Sequence, residues 1–568
     1  MKSKSNMADV RASEASEDGP GETPAGRRAP CSRPEVPPPG RAFGTSSPAR
    51  GFETSPPAAT SPPAATSPPA AAFGEPAAAL PSPAARPSSE PEHPPCGEVP
   101  EPRCGRGKVG TMVLDSTTLH SSIEDPVLDR MNFLNEITFA FPDAVSFAPG
   151  RPYDGFFEVE EVHGYLRRYA AYLGSRGAGP AEVRSSFYQY GPAAGQIREL
   201  IAHSLRQDEE LEVAPESIVV TVGAQEAMFL VLRTLFATPR DVLLLVTPCY
   251  VGIIGAARLL DIPVVAVPER DGRLVVADLD AAVRAERAAG RRPRAVYVVP
   301  DHANPTGSTL DLETRTALLE LAGRQGLLVL EDSPYRFAGP GPRPPMLKAL
   351  DRAGCVVQLG TYSKTLFPGA RVGYLVADQQ VRDGNGGVRL LAQDVAKVKS
   401  MVTVNTSTLS QAAAAGALLS ADGRLSELSA RAAEHYRRSM AETLAQLDRR
   451  LPESRRRALG VDWNRPDGGF FLTLRTGFRT GVAALERSAR EFGVIWTPME
   501  FFHPHGGGEQ DIRLSISYLT PRQIVDGTER LARFVEAMGP ASHDAGRRTE
   551  SDAARDAGTG SGTERDPS

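Results

Sequence analysis

Short hydrophobic runs recur through the middle of the chain, separated by longer stretches with helical periodicity. Several runs are apolar throughout, which is typical of strands in a parallel sheet that helices cover on both faces. Strands that alternate with helices in this way predict βαβ units. The predicted strands are residues 218–222, 242–246, 263–267, 295–299, 327–331, 356–360 and 372–376. The sequence therefore predicts an α/β fold with a mostly parallel, seven-stranded sheet.

The pattern changes after this region. An alanine-rich helix is predicted at about residues 411–419 and a long amphipathic helix at about 425–451, with strands at 469–473 and 511–518. This pattern predicts a smaller α+β domain, completed by the N-terminal part of the fold. The expected divisions are an N-terminal segment that contributes to the small domain (116–190), a large α/β domain (191–400) and a small C-terminal domain (401–538).

Composition separates both ends of the chain from this folded part. The first 115 residues hold 23 of the 50 prolines and repeat the unit Ser-Pro-Pro-Ala-Ala at Ser55, Ser61 and Ser67. Such a segment cannot bury a core, so we expect residues 1–115 to form a disordered Pro/Ala-rich tail. Residues 539–568 are rich in Gly, Ser, Asp and Arg, and we expect a second disordered tail there.

Charge and hydropathy exclude several classes of function. The formal net charge is -5, whereas nucleic-acid binding normally needs a basic face. The apolar runs are far shorter than a membrane span, and the N-terminus lacks an apolar signal core. The five cysteines match neither a disulfide framework nor a zinc site, and His503 and His505 lack a supporting ligand cluster. We expect a soluble, cytoplasmic protein that binds no metal, nucleic acid or membrane.

Candidate chemistry begins with a lysine after the sixth predicted strand. Lys364 has the hydroxyls of Thr361 and Ser363 beside it, and Arg371 follows seven residues later. A lysine at a strand end is often only a surface cation. With these neighbours, however, it is suited to forming a Schiff base with pyridoxal phosphate while they hold the phosphate group.

Two further motifs follow the first two predicted strands. Gly223 opens a helix and is followed by Ala224 and Gln225, so that backbone N–H groups and the helix dipole can face an anion. This signal is weak by itself, because any strand-to-helix turn tolerates glycine. Tyr250 is compatible with core packing or with stacking on a planar cofactor.

Asn304 and Asp332 follow later strands. The segment that begins with Asn304-Pro305 is compatible with an ordinary turn, or with a hydrogen bond from Asn304 to a phenolic oxygen of the cofactor, and we expect a cis Asn304–Pro305 bond. Asp332 needs a cationic partner at its expected depth, and a protonated pyridine nitrogen would serve. Tyr335 would reach the same phenolic oxygen as Asn304.

The last candidates concern the substrate. Arg513 alternates with apolar residues along a predicted strand. It is either solvated, as is usual for such a position, or a bidentate clamp for a substrate carboxylate. A Pro-Gly turn makes backbone groups of Gly150 available to a ligand. Tyr188 and Tyr190 are compatible with simple packing.

Together, in this order and spacing, these motifs resemble the class I/II aminotransferases of PLP fold type I. The resemblance implies that Lys364 carries pyridoxal 5′-phosphate and moves protons. It implies that Asp332 pairs with the pyridine nitrogen and that Asn304 and Tyr335 bind the phenolic oxygen. Amino acids and 2-oxo acids would be the substrates.

The same resemblance implies that the large domain (191–400) binds the cofactor and that the N-terminal segment (116–190) contributes to the contacts of a homodimer. In that dimer Tyr190 would reach the phosphate of the partner subunit. Tyr250 would stack on the cofactor ring, and Arg513, Gly150 and Tyr188 would bind the substrate. The residues implied to hold the phosphate are Gly223, Ala224, Gln225, Thr361, Ser363 and Arg371. Ala224 departs from the serine of many relatives, so one phosphate hydroxyl is missing.

A narrower resemblance concerns the (S)-3,5-dihydroxyphenylglycine transaminases of glycopeptide antibiotic pathways. It is carried by residues 125–136, 147–150, 188–192, 401–406 and 496–499. It implies exchange of an amino group between an arylglyoxylate and a donor such as tyrosine. Under this hypothesis the side chains expected to line an aromatic pocket are Phe156, Tyr188, Trp496 and Phe501.

Three alternatives stay open from the sequence. The chain is compatible with another aminotransferase, of the 2-aminoadipate or the branched-chain or aromatic type, and with another PLP reaction, because a fold does not fix a reaction. A ligand-sensing transcription regulator with an aminotransferase-like domain would need an N-terminal DNA-binding module. The proline-rich N-terminal stretch contains no helix-turn-helix pattern.

Overall fold

The computed structural model describes residues 112–539. We predict disorder for residues 1–115 and 539–568, and most of these positions lie outside the described residues. Within these two segments only residues 112–115 and 539 are described. The strands are β1 Val145–Ser146, β2 Ile218–Thr221, β3 Asp241–Thr247, β4 Val264–Pro268, β5 Arg292–Val298, β6 Leu328–Asp332, β7 Val356–Thr361, β8 Gly373–Val376, β9 Gln380–Arg382, β10 Val388–Leu390, β11 Asp462–Trp463, β12 Phe471–Arg475, β13 Val494–Ile495, β14 Thr497–Pro498 and β15 Asp511–Ser515.

The helices connect these strands and cover them. They are α1 Pro126–Ala140, α2 Val159–Ser175, α3 Pro180–Tyr188, α4 Arg198–Glu209, α5 Gly223–Leu235, α6 Val251–Leu259, α7 Val276–Ala288, α8 Leu312–Gln325, α9 Leu347–Leu350, α10 Leu391–Val402, α11 Thr408–Ser420, α12 Leu425–Arg450, α13 Glu453–Leu459, α14 Val482–Arg487 and α15 Pro521–Met538. None of the helices in the described part combines the length and the apolar character that crossing a membrane requires.

The predicted seven-stranded sheet is confirmed, in the order β2-β8-β7-β6-β5-β3-β4. Only β8 runs antiparallel to its neighbours. It differs because a short loop joins it to β7, whereas a parallel connection needs a crossover of about a dozen residues or more. That loop carries Lys364.

Helices cover both faces of this sheet. Along β3, Leu243 and Leu245 pack in one cluster with α5, α6 and α10, whereas Leu244 and Val246 pack on the other face with α7 and α8. Alternate residues therefore enter different cores, as the pleat of a strand requires. Burial on both faces explains why the strand sequences are apolar throughout.

A second core surrounds an antiparallel sheet with the order β11-β12-β15-β14. Helices α12 and α15 pack against it. The N-terminal segment joins this core through β1, whose Val145 pairs with Val494 of β13. The domain boundaries at 190, 400 and 538 stay a prediction.

The expectation that Trp496 lines a substrate pocket is wrong. Its side chain is fully buried in the second core, and its indole Nε1 donates a hydrogen bond to Ser488 Oγ at 2.9 Å. A buried indole stabilises the core once its N–H has a partner. Trp496 is therefore a core residue, although its neighbour Thr497 faces the site described next.

Candidate active site

A cavity of about 270 Å³ lies at the carboxyl ends of the strands of the large sheet, where α/β sheets usually bind ligands. Most of the residues singled out from the sequence line it, although they come from distant parts of the chain. They are Gly150, Ala224, Gln225, Tyr250, Asn304, Asp332, Tyr335, Thr361, Ser363, Lys364, Arg371 and Arg513.

Of the residues predicted to bind the cofactor or the substrate, Gly223, Tyr188 and Tyr190 do not line this cavity. The side chains of Tyr188 and Tyr190 are 76% and 85% exposed. Tyr188 was expected to bind the substrate, but it does not reach the cavity of its own subunit. The expectation is therefore wrong for a contact within one subunit. Tyr190 was expected to act on the partner subunit, and its exposure leaves it available for that.

The amine of Lys364 points into the cavity, where its Nζ donates a hydrogen bond to the carbonyl of Gly150 at 2.6 Å. Burial lowers the pKa of Lys364 to about 8, assisted by the positive charges of Arg371 and Arg513, while Asp332 opposes the shift. A buried amine surrounded by cations loses its proton more easily than a solvated one. A larger fraction of Lys364 is therefore neutral near pH 8 than of a solvated lysine, and the neutral amine is the form that can act as a nucleophile or a base.

Asp332 ends β6 at the floor of the cavity. Its Oδ2 accepts a hydrogen bond from the hydroxyl of Tyr297 at 2.6 Å, and its buried Oδ1 has no hydrogen-bond partner among the described residues. Burial raises the pKa of Asp332 to about 7, opposed by the Tyr297 hydrogen bond and by the charge of Lys364. An unpaired buried carboxyl oxygen is costly, and the N–H of a protonated pyridine would satisfy it.

The residues expected to hold a phosphate surround the N-terminus of α5. Arg371 Nη1 donates to Ser363 Oγ at 3.2 Å, and the hydroxyl of Thr361 donates to the same oxygen at 3.1 Å. A guanidinium, two hydroxyls and the free amides of a helix N-terminus form an environment suited to a phosphate dianion.

Gly223 makes this arrangement possible. Its φ of +73° is in the left-handed region, and an added Cβ would lie 2.6 Å from Nη2 of Arg371. A larger residue would therefore push the guanidinium away from the helix N-terminus. The polar residues of the cavity fit pyridoxal phosphate at both ends of the molecule, the ring nitrogen and the phosphate.

Arg513 is buried, so the interpretation of its strand position as solvated is wrong. Its Nη1 donates to Asn304 Oδ1 at 2.8 Å, and its Nη2 donates to Thr497 Oγ1 at 3.0 Å and to the carbonyl of Ala148. The buried Nε has no partner in the described part of the chain. Burial lowers the pKa of Arg513 to about 10, which still leaves it charged at neutral pH.

Two aromatic rings hold the same guanidinium from its faces. The Cζ of Arg513 lies 4.6 Å from the ring centroid of Phe471 and 4.9 Å from that of Phe502. Such contacts stabilise a cation where water is excluded. Arg513 is thereby fixed in a geometry suited to a planar carboxylate.

The loop of Asn304 connects this arginine with the expected cofactor site. The Asn304–Pro305 peptide bond is cis, which confirms the expectation from the sequence. The Asn304 side chain also lies beside the hydroxyl of Tyr335, where it partly offsets the rise that burial causes in the pKa of that hydroxyl. Asn304 therefore lies between the residue expected to clamp the substrate and the other residue expected at the phenolic oxygen.

Sequence reasoning missed Tyr297, Thr497 and Phe502. A signal for Tyr297 was present, because it is a polar aromatic residue within the apolar run of β5. Phe502 lines the cavity, in place of the expected Phe501, whose ring packs against Phe133.

Phe156 also lies outside the cavity. Its ring contacts Tyr153 and His435, so it belongs to an aromatic cluster beside α12. The expectation that Phe156 lines the substrate pocket is wrong for this subunit.

Comparison with known proteins agrees with this geometry. The family model of aminotransferase class I and II matches residues 177–531. An (S)-3,5-dihydroxyphenylglycine transaminase of Amycolatopsis orientalis is 46% identical over 428 residues, which cover 75% of this chain and 95% of that protein.

Solved structures give the same result for the fold. A multiple substrate aminotransferase of Thermococcus profundus matches with a TM-score of 0.63 and 26% identity, covering 74% of this chain and 98% of that one. The α-aminoadipate aminotransferase of Thermus thermophilus, complexed with N-(5′-phosphopyridoxyl)-L-leucine, matches with a TM-score of 0.60 and 28% identity. The match covers 74% of this chain and 98% of the Thermus thermophilus chain.

Proposed function

The chain belongs to the class I and II aminotransferases, whose cofactor is pyridoxal 5′-phosphate, and we propose that its substrates are an aromatic amino acid and an aryl 2-oxo acid. In the specific form of the proposal, tyrosine donates the amino group and 3,5-dihydroxyphenylglyoxylate becomes 3,5-dihydroxyphenylglycine. The observation that carries this proposal is the 46% identity to an (S)-3,5-dihydroxyphenylglycine transaminase, over 95% of the length of that relative.

The roles of the site residues follow from their positions. Pyridoxal phosphate supplies an electron-withdrawing ring that stabilises the carbanion formed when the Cα–H bond breaks. Arg513 binds the substrate carboxylate, which sets the amino acid in one orientation. Lys364, whose pKa burial lowers to about 8, would take the Cα proton as a neutral amine and hold it on Nζ.

The charges in the cavity favour an aromatic side chain over an acidic one. The described residues that line it include three cations, Lys364, Arg371 and Arg513. Lys364 and Arg371 serve the cofactor in this proposal, and Arg513 serves the α-carboxylate. The second carboxylate of 2-aminoadipate would then lack a cation from this chain, at a cost that buried charges normally avoid. Met228, Val251 and Phe502 instead supply an apolar part of the wall.

We also propose that the protein is a homodimer in which Tyr190 contacts the phosphate in the partner's site. Exposed apolar side chains on two neighbouring segments support this proposal. The two segments, around residues 187–190 and 401–409, are in contact, because Thr408 Oγ1 donates a hydrogen bond to the carbonyl of Phe187 at 2.7 Å. The segments come together around that bond, and their exposed apolar residues are Tyr188, Tyr190, Met401, Val402, Val404 and Leu409. Such a patch on a single chain is typical of an interface.

A cytoplasmic location is part of the same proposal. Cys249 and Cys355 are free and buried, and thiols that stay unpaired are typical of a reducing compartment.

The test is a spectral screen of amino donors with the purified holoenzyme. Tyrosine should convert the bound cofactor to its aminated form when no acceptor is present, and an aryl 2-oxo acid should reverse the change. Conversion by 2-aminoadipate but not by aromatic amino acids would contradict the proposed specificity. Oxidation or γ-substitution of the donor, with no aminated cofactor left, would contradict transamination.

A variant tests the role of the lysine. Lys364→Ala should lose turnover and the absorbance of the lysine-linked cofactor, because no other described amine lines the cavity. The matched control is Lys397→Ala, whose side chain is 70% exposed on α10 and which should behave as the wild type. Turnover retained by Lys364→Ala would refute the assignment.

A further inference from the structure

A tyrosine outside the recognised motifs lies directly behind the acidic end of the cavity. Tyr297 is fully buried on β5 and pairs with Leu330 of β6. Asp332 is two residues farther along β6, so it shares a face with Leu330. A phenol is long enough to reach this next position on the same face. The sheet register thus fixes the contact of 2.6 Å between the Tyr297 hydroxyl and Asp332 Oδ2.

The two carboxyl oxygens of Asp332 differ in their hydrogen bonding. Oδ2 accepts the hydrogen bond of Tyr297, whereas Oδ1 is buried without a partner in the described residues. We propose that Tyr297 is a positioning residue for the cofactor: by holding Oδ2, it fixes the rotation of the carboxyl group so that Oδ1 faces the ring nitrogen. This inference rests on the proposed pairing of Asp332 with that nitrogen.

The same hydrogen bond favours the charged form of the carboxyl group. Burial raises the pKa of Asp332, and Tyr297 is first among the groups that oppose this rise. Without the hydroxyl the carboxyl would hold its proton more tightly, and a neutral carboxyl cannot form an ion pair with a pyridinium. Tyr297 therefore acts on the ring nitrogen through Asp332, without touching the cofactor.

The groups around Tyr297 keep its hydroxyl protonated, so that it can donate a hydrogen bond to Asp332. Burial and the charge of Asp332 raise its own pKa well above the usual value. The neighbouring titratable groups are Cys249 and Tyr250, and burial raises the pKa values of both. All three stay protonated at neutral pH, so the hydrogen of Tyr297 remains on its oxygen.

A simpler interpretation is that Asp332 serves only as the hydrogen-bond acceptor that the buried hydroxyl of Tyr297 needs. The two interpretations differ in how the cofactor is bound. If Tyr297 acts on the ring nitrogen, its hydroxyl matters only for a ligand that has this nitrogen. The probe is therefore pyridoxal phosphate compared with its 1-deaza analogue, in which a C–H group replaces the ring nitrogen.

The experiment measures the dissociation constants of both ligands for the apoenzyme, by fluorescence titration. Tyr297→Phe should weaken pyridoxal phosphate binding about ten-fold, the effect of one hydrogen bond to a charged group. It should leave the affinity for the deaza analogue within about two-fold of the wild type. The matched control is Tyr374→Phe, which removes a buried hydroxyl from β8 of the same sheet and should change neither constant.

The ratio of the two constants decides the question. Both ligands are titrated on one preparation, so a loss of folded protein does not change the ratio. An equal loss for both ligands, or an unchanged affinity for pyridoxal phosphate, would overturn the role of Tyr297. A wild-type protein that shows no preference for the ligand with a nitrogen would instead refute the pairing of Asp332 itself.

Discussion

At the scale of single residues, the site depends on two buried groups that burial shifts toward their neutral forms. The pKa of Lys364 falls to about 8 and that of Asp332 rises to about 7. Each shift has burial as its first cause, since low polarity disfavours any isolated charge. In the proposed function the cofactor would be the partner of both groups, because an aldehyde reacts with a neutral amine and a protonated ring nitrogen pairs with a carboxylate.

The lysine pKa leads to a prediction about pH. Only a neutral amine attacks an aldehyde, so the rate at which apoenzyme binds pyridoxal phosphate covalently should rise with pH and level off above about 8. An unperturbed lysine would stay protonated up to about pH 10.4. Stopped-flow absorbance measures this rate, with a lysine peptide as the reference amine. A protein rate that follows the peptide rate through this range would contradict the lowered pKa.

At the scale of elements, the strands were predictable and some of the side-chain contacts were not. The seven strand sequences are apolar on both faces because helices cover both, which is a local property that a sequence displays. The burial of Arg513 is not local: its partner Asn304 is 209 residues away. Trp496 and Thr497 are adjacent, yet one enters the core and the other faces the guanidinium, and the sequence pattern there is too short to show which.

The turn between β2 and α5 gives a prediction with a close control. Gly223→Ala should weaken pyridoxal phosphate binding, because its Cβ would lie 2.6 Å from Arg371 Nη2. Gly272 has nearly the same φ, +71° against +73°, but an added Cβ would meet nothing within 4 Å. Both alanine variants should lose about 1–2 kcal/mol of unfolding free energy, from the left-handed conformation.

Only Gly223→Ala should also lose cofactor affinity. Chemical denaturation of the apoenzyme measures the first effect, and titration with pyridoxal phosphate measures the second. Equal cofactor affinities in the two variants would show that the close approach of Arg371 to the helix N-terminus contributes nothing to phosphate binding.

At the scale of the whole molecule, the site is assembled from two cores. Arg513 lies on β15 of the second core, and Asn304 lies on a loop of the large sheet. The Nδ2 of Asn464 donates to the carbonyl of Thr306 at 2.5 Å, and an added Cβ on Gly307 would lie 2.3 Å from the carbonyl oxygen of Phe471. The loop of Asn304 is thus packed directly on the second core, so a displacement of either core would change the distance between Arg513 and the cavity residues of the large sheet.

The proposed dimer extends this assembly to a second chain. Met401 is 85% exposed within the apolar patch of Tyr188, Tyr190, Met401, Val402, Val404 and Leu409. We expect Met401→Asp to convert a dimer into a monomer in sedimentation velocity, because a buried unpaired charge opposes association. Cofactor affinity should fall as well, since Tyr190 would no longer reach the partner's phosphate.

The control is Leu312→Asp. Leu312 is 50% exposed at the start of α8, outside the patch, and an aspartate is favourable in the first turn of a helix. This variant should stay dimeric with unchanged cofactor affinity. Tyr190→Phe separates the two effects, because it should leave the dimer intact and weaken only cofactor binding. A monomeric wild type with full affinity for pyridoxal phosphate would refute both the interface and the contact across it.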